Sequence, residues 1–465
     1  MATDEKQNRR SSAASNRRKN VGDDPATSKA NQVAGIERPA SLKQLQHILD
    51  PDSHFPVPIR AMGANSASTQ CTAAVSGTVV DMTDLDEITE LTESTVTVQA
   101  GVTLRELADH LSAQGLEIAG AIDLVRRTVG GVVASGCFGP SHDGRNAFVA
   151  SQVISMRVVT PNGKLLEVDE TRGNLLSVFC LSMGTLGIIY DVTFRIRPAQ
   201  KFSLKQRKMD VATFGKAAKV LMQQPVGIRF YYLPFKEAIY TELRRATSGE
   251  TRVRSLAWRF KDWGESAVLP SMCSKLSRIV PIAGIRYSLV DGLHGFGQSV
   301  LTNTLTEGGS SAVEHRTQTS GRFVAPPLKY TTWCFPADDI EMILEAYKAF
   351  AVEYYRNHKF RCDMPLVGVR LPADQTGLLS PCFDQPVFAL RVVSNPHTLW
   401  EDYAMDFAEF AQRWSGVPLL NQSRCAEPTY TSTAFGTRLE FFKKIRRQMD
   451  PDGRLLNPFL AQYLR

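Results

Sequence analysis

The chain predicts an α+β fold of two domains, and three observations carry that prediction. Its 465 residues, 43% hydrophobic and 22% charged, suffice for two or three cores. From Ile36 onward, short β-like runs are followed by amphipathic segments able to pack across them. A glycine turn, Leu181-Ser182-Met183-Gly184-Thr185-Leu186-Gly187-Ile188-Ile189-Tyr190, then feeds the alternating run Asp191 to Arg197. Pro198 ends that run, which places a domain boundary near residue 200.

The first ordered element starts near Ile36, where Ser41 is an N-cap before Leu42, Leu45, Ile48 and Leu49 at helical spacing. The strand-like Val57-Pro58-Ile59-Arg60 follows. It runs into a loop of small side chains, Met62-Gly63-Ala64-Asn65-Ser66-Ala67. Backbone N–H groups can wrap a diphosphate only where no bulky Cβ substituent intervenes, and the same residues also suit an ordinary turn. Thr78 to Met82 and Thr95 to Gly101 read as strands, and Leu104, Ala108 and Leu111 as one helix face.

A second stretch, Arg127-Thr128-Val129-Gly130-Gly131-Val132-Val133-Ala134-Ser135-Gly136-Cys137-Phe138-Gly139, places four glycines in a segment without charge after Arg127. That density implies backbone pressed against something flat or anionic, or a tightly packed helix and turn.

Residues 1–35 are polar, without an apolar run able to pack, and read as a disordered, solvated tail. Arg9-Arg10-Ser11-Ser12 and Arg17-Arg18-Lys19 lack the apolar segment that an export signal needs. The net charge of +7 is modest for the length and comes partly from this tail, so a nucleic-acid partner is not implied. Cys71, Cys137, Cys180, Cys273, Cys334, Cys362, Cys382 and Cys425 form no CxxC pair. They predict free thiols in a reducing compartment and a cytoplasmic location. No apolar stretch approaches the roughly 20 residues of a membrane span, which predicts a soluble protein. Nucleotide P-loop, HExxH, GxSxG and paired metal-ligand patterns are missing, so no metal is expected.

Taken in order, Arg60 to Ser66, Thr128 to Gly139 and Gly184 to Ile188 resemble the three motifs of the FAD-binding (PCMH-type) domain of the vanillyl-alcohol-oxidase superfamily. Val153 to Val168 supplies the strand–Pro-Asn-Gly–strand between them. The C-terminal half is similar to the sugar-lactone and alditol oxidase branch, through Lys329-Tyr330-Thr331-Thr332-Trp333-Cys334-Phe335-Pro336, Leu378-Leu379-Ser380-Pro381 and Asp450 to Phe459. The resemblance implies FAD held by Met62, Gly63, Ala64, Asn65, Ser66 and Ala67. On the far side it implies Thr128, Gly130, Gly131, Ser135, Gly136, Cys137, Gly187 and Ile188. It also implies a FAD-binding domain over residues 36–200, a substrate or cap domain over 201–420, and a segment over 421–465 that returns to the first domain.

Departures from the pattern sharpen the expectation. A histidine that joins the flavin covalently in many relatives is matched by Ser66, and the cysteine of the doubly linked ones by Arg126, so non-covalent FAD is expected. The Glu-x-Arg pair of alditol oxidases becomes Gly368-Val369-Arg370. A histidine on the next strand becomes Arg391, and a lysine near the domain's end becomes Gln422.

Oxidation of a CH–OH carbon needs a group for the hydroxyl proton and a cation for charge arriving on the ring. Arg370 is the expected cation, with Arg391 and Gln422 as further catalytic candidates. Arg370 and Arg391 also suit structural ion pairs. His142 with Asp143 reads either as a base with its carboxylate or as a turn. Tyr231, Tyr232 and Trp333 read either as substrate-stacking rings or as core. Glu314-His315-Arg316 is isolated. The expected activity is oxidation of a small alcohol or lactone, with oxygen or another electron acceptor. A flavin dehydrogenase or reductase, and a non-catalytic binding protein of the same fold, stand as alternatives.

Overall fold

A computed structural model describes residues 33–119, 126–139, 141, 144–171, 174–247, 268–304, 309–310 and 328–465. His142, Asp143, the Glu314 to Arg316 run and most of the N-terminal tail lie outside them.

The first sheet is parallel, in the order β1 (Gly35–Glu37), β3 (Thr78–Asp81), β2 (Ile59–Met62). Helix α1 (Leu42–Leu49) buries Leu45, Ile48 and Leu49, and Ser41 Oγ caps it by accepting from Gln44 N at 3.4 Å. Such a cap satisfies one of the orphan donors of the first turn and stabilises by about 1 kcal/mol.

The second sheet is antiparallel, ordered β4 (Ile88–Leu91), β5 (Thr95–Gln99), β8 (Ile188–Arg195), β6 (Val153–Val159), β7 (Leu165–Asp169). The Pro-Asn-Gly turn closes β6 onto β7, with Gly163 N donating to Thr160 O at 2.9 Å. Helix α2 (Leu104–Ala113) begins in a capping box formed by Thr103 and Glu106, and buries Leu104, Leu107, Ala108 and Leu111. The glycine-dense stretch forms helix α3 (Val129–Ser135), and α4 (Leu175–Phe179) precedes the third glycine turn.

Past Pro198 a larger antiparallel sheet begins. Its order is Gly309–Ser310, β9 (Lys201–Met209), β11 (Ala238–Thr247), β10 (Gly227–Leu233), β13 (Leu366–Leu371), β14 (Val387–Ser394), β12 (Lys329–Pro336), Val417–Pro418. Helices α5 (Val211–Leu221), α6 (Leu269–Ile279), α7 (Ala283–Thr304), α8 (Ile340–His358) and α9 (Trp400–Arg413) belong to this half.

One face of the sheet is aromatic core. Phe214 of α5 lies 4.7 Å from Phe230, which lies 5.7 Å from Phe388, centroid to centroid. Phe335 of β12 meets Phe410 of α9 on that side. Trp333 and Tyr232 are wholly buried, and Tyr231 nearly so in a cluster with Leu233, Ala238 and Tyr240, which makes all three rings core.

The chain then returns to the first half through α10 (Pro428–Phe435), α11 (Thr437–Met449) and α12 (Pro458–Leu464). Ile59 N donates to Arg454 O, and Asn457 Nδ2 donates to Gln70 O and Ala73 O, each at 2.8 Å. Among the described residues, no helix is long and apolar enough to cross a membrane.

Candidate functional site

A cleft enclosing about 870 Å³, its mouth included, opens where the loop after β2, helix α3 and the turn before β8 meet. Met62 to Ala67 form one wall. Thr128, Gly130, Gly131 and Ser135 form the facing wall, and Gly187 and Ile188 close a third side. Asn65 turns the loop in a left-handed conformation, φ 47°, which asparagine tolerates better than most side chains.

The loop and α3 touch through an omitted side chain. A Cβ on Gly63 would lie 1.9 Å from Thr128 Oγ1, so only glycine lets the walls approach this closely.

Arg60 holds the cradle from below. Its guanidinium is buried and donates to Cys71 O and Gly184 O at 3.1 Å, Leu455 O at 2.6 Å and Met183 O at 2.5 Å. Burial lowers its pKa to about 10, which still leaves it charged near neutrality. Four carbonyls from three separate stretches are thereby fixed to one planar cation. Cys71 also lines the cleft, and burial raises its thiol pKa against the opposing pull of Arg60, so it is present as neutral thiol.

The second half contributes at the Ser66 end of the loop. Tyr330 Oη donates to Ser66 O at 2.9 Å, and Ser68 Oγ donates to Gln422 O at 3.0 Å. Arg391 Nη2 donates to Gln422 Oε1 at 3.4 Å and its Nε to Thr332 Oγ1 at 3.3 Å. The same guanidinium lies 5.4 Å from the Tyr330 ring centroid and 6.0 Å from that of Phe138. Asn421 Oδ1, on the cleft, and Gln422 Nε2 are buried polar atoms with no hydrogen-bond partner. Such atoms cost free energy unless a ligand supplies the missing bond.

Three expected residues sit elsewhere. Gly136 ends α3 with φ +69°, facing Leu181 and Phe148, and Cys137 is wholly buried; neither lines the cleft. Both lie past Ser135, the last helical residue, where the left-handed Gly136 ends the helix before the buried Cys137.

Arg370, the expected ring-facing cation, is bonded to backbone: Nη1 to Val226 O at 2.8 Å and Gln224 O at 3.2 Å, Nη2 to Met222 O at 3.0 Å. By register it opposes Phe388, whereas Arg391 opposes Val367, so the two arginines project from opposite faces of the sheet. The reason lies next door. A Cβ on Gly368, where the alditol oxidase pattern has its carboxylate, would be 2.1 Å from Phe230 Cζ. An aromatic ring occupies the carboxylate's space, and the arginine left without that partner caps the turn after α5.

Several cleft residues carried no sequence signal as site residues: Arg127, Ala100 and Asn421 line it along with Cys71. Arg127 Nε is buried and without a partner. Among the described residues lining the cleft there is no Asp, Glu or His.

Comparison with known proteins adds family likeness. Residues 33–169 match the FAD binding domain family, and residues 192–463 match the family described as D-arabinono-1,4-lactone oxidase. The chain is 24% identical to the L-gulonolactone oxidase of Bos taurus over 387 residues, 79% of this chain and 80% of that protein. It is also 24% identical to a putative D-arabinono-1,4-lactone oxidase of Neurospora crassa over 210 residues, 44% of this chain and 37% of the relative's length. Among solved structures, the cholesterol oxidase of B. sterolicum superposes with a TM-score of 0.71 at 15% identity, covering 92% of this chain and 94% of that one, a likeness of fold.

Proposed function

Because the chain belongs to the D-arabinono-1,4-lactone oxidase family, which its residues 192–463 match, we propose that it is an FAD-dependent oxidase acting on the CH–OH carbon of a small sugar lactone, with oxygen as final acceptor. FAD, when bound, supplies the two-electron acceptor for the hydride leaving that carbon.

The cleft fits that cofactor on two counts. A Cβ on Gly184 would make only ordinary contact, with Arg60 Nη2 and Gly187 O at 3.9 Å, so the backbone there is not crowded. Asn421 Oδ1 and Arg127 Nε stand buried and unpartnered on its walls.

In this reading the Gly63 to Ser66 backbone holds the diphosphate, with α3 and the Gly187–Ile188 turn on the far side. The linkage is non-covalent, because Ser66 offers no imidazole nitrogen.

The observation that carries the proposal is the convergence of Arg391 and Gln422 on the Ser66–Ser68 end of the cradle. Arg391, packed beside Phe138 and Tyr330, stabilises the substrate hydroxyl as it gives up its proton. Gln422 Nε2 donates to a substrate oxygen and orients the carbon. Thr332 Oγ1 fixes the guanidinium. In this reading the hydroxyl proton leaves to water as the hydride leaves the carbon.

The experiment is anaerobic mixing of the purified yellow protein with sugar lactones, alditols and simple alcohols, followed at the flavin band. Bleaching by a lactone and peroxide release on readmitting air are expected. A flavin that dithionite reduces but none of these substrates does would refute the assignment.

A further inference from the structure

Half of the exposed large apolar side chains of the described residues, seven of fourteen, fall between Met272 and Val300. Within α7, Ile285, Leu289, Phe296 and Val300 lie inside an arc of about 60° at 100° per residue, and Phe296 is 72% exposed. The opposite side carries Tyr287, Val290, His294 and Gln298, which are buried.

The protein covers one side of this helix and leaves an apolar strip bare on the other. Contiguous exposed apolar side chains mark a surface that something else covers. The patch continues across the α6–α7 corner through Ile279 and Ile282, 73% and 61% exposed.

Charge identifies what encloses it. On this hairpin Lys275 and Arg278 are exposed and Arg286 is half-exposed. Its one acid among the described residues, Asp291, is tied to Arg361 at 2.8 Å. A second copy docked face to face would bring like charges together, whereas anionic lipid headgroups would compensate them.

We propose that the outer face of α7 and the α6–α7 corner rest on an anionic lipid surface, the aliphatic side chains entering the headgroup boundary and Lys275, Arg278 and Arg286 meeting lipid phosphates. The helix lies in the interface plane and does not span the bilayer. At 22 residues it presents about 33 Å of length to that plane.

The test is flotation of the full-length, flavin-loaded protein with vesicles of phosphatidylcholine alone or of phosphatidylcholine with phosphatidylserine. The protein should float with the anionic vesicles and less with the neutral ones. A double variant, Ile285→Asp with Phe296→Asp, should float about tenfold less while keeping its flavin content and melting temperature, since both residues already face water. Lys275→Glu with Arg278→Glu should abolish the preference for anionic vesicles. Wild-type protein that floats with neither vesicle, or an aspartate variant that floats as well as wild type, overturns the proposal. So does a wild-type dimer that the aspartate variant turns into monomer while neither protein floats, since the face would then belong to a second copy.

Discussion

A Cβ on Gly63 would stand 1.9 Å from Thr128 Oγ1, so the first loop and the glycine-bearing helix meet where one of them has no side chain. Filling that gap must push α3 away from the cradle. Gly63→Ala should cost about 1–3 kcal/mol and lower the flavin bound per protein, and Gly63→Trp should abolish it. The ratio of flavin to protein absorbance after purification measures this, and a Trp variant with full flavin would exclude the loop as the cradle.

Ser66 closes the loop without an imidazole. Acid precipitation should leave a colourless pellet and yellow supernatant. A pellet that stays yellow would mean a covalent bond.

Arg391 and Gln422 are joined at 3.4 Å near the end of that loop. Arg391→Met should lower kcat/KM by about 10²–10³-fold with the flavin retained. Arg391→Lys should recover only part, because a point charge cannot hold Thr332 and Gln422 together as the planar fork does. Steady-state kinetics on a reactive lactone decide it.

Arg370 gives the contrasting case. Removing its guanidinium strands three carbonyls, so Arg370→Met should destabilise by about 2–4 kcal/mol and leave turnover by the surviving folded protein little changed. Loss of turnover at an unchanged melting temperature would return Arg370 to the site.

His294, on the buried side of α7, has its pKa lowered below 6.5, chiefly by desolvation. The folded state therefore binds fewer protons than the unfolded one. Its contribution to stability is complete above pH 6.5 and is lost as pH falls from there through the lower folded value. Urea unfolding at a series of pH values should show wild type losing stability below about pH 6.5 more steeply than His294→Gln.

The architecture was legible because periodicity and turn chemistry are local. Ser41 before Leu42 and the Pro-Asn-Gly hairpin each act on their neighbours, whereas Pro198, expected to end the strand, comes after it has stopped at Arg195 and pairs with Leu116. The cradle was legible for the same reason, since small side chains advertise close backbone approach. Arg370 misled because its fate depends on Gly368 and Phe230, which are remote in sequence and paired across strands. Arg60, Arg127 and Asn421 were silent because a buried polar group announces itself only once its surroundings are known. The apolar outer side of α7 was hidden because the buried side of the same helix mixes Tyr287 and Val290 with His294 and Gln298 and gives no clean contrast.

Arg60 bonds Leu455 O, and Asn457 holds the carbonyls of Gln70, Cys71 and Ala73. The floor of the cradle is thus completed by residues within a dozen of the chain's last one. A ribosome delivers the Met62 loop first and its fastenings nearly four hundred residues later. A chain cut short before Arg454 would therefore carry all its glycine motifs without Leu455 and Asn457, which fasten the floor of the cradle.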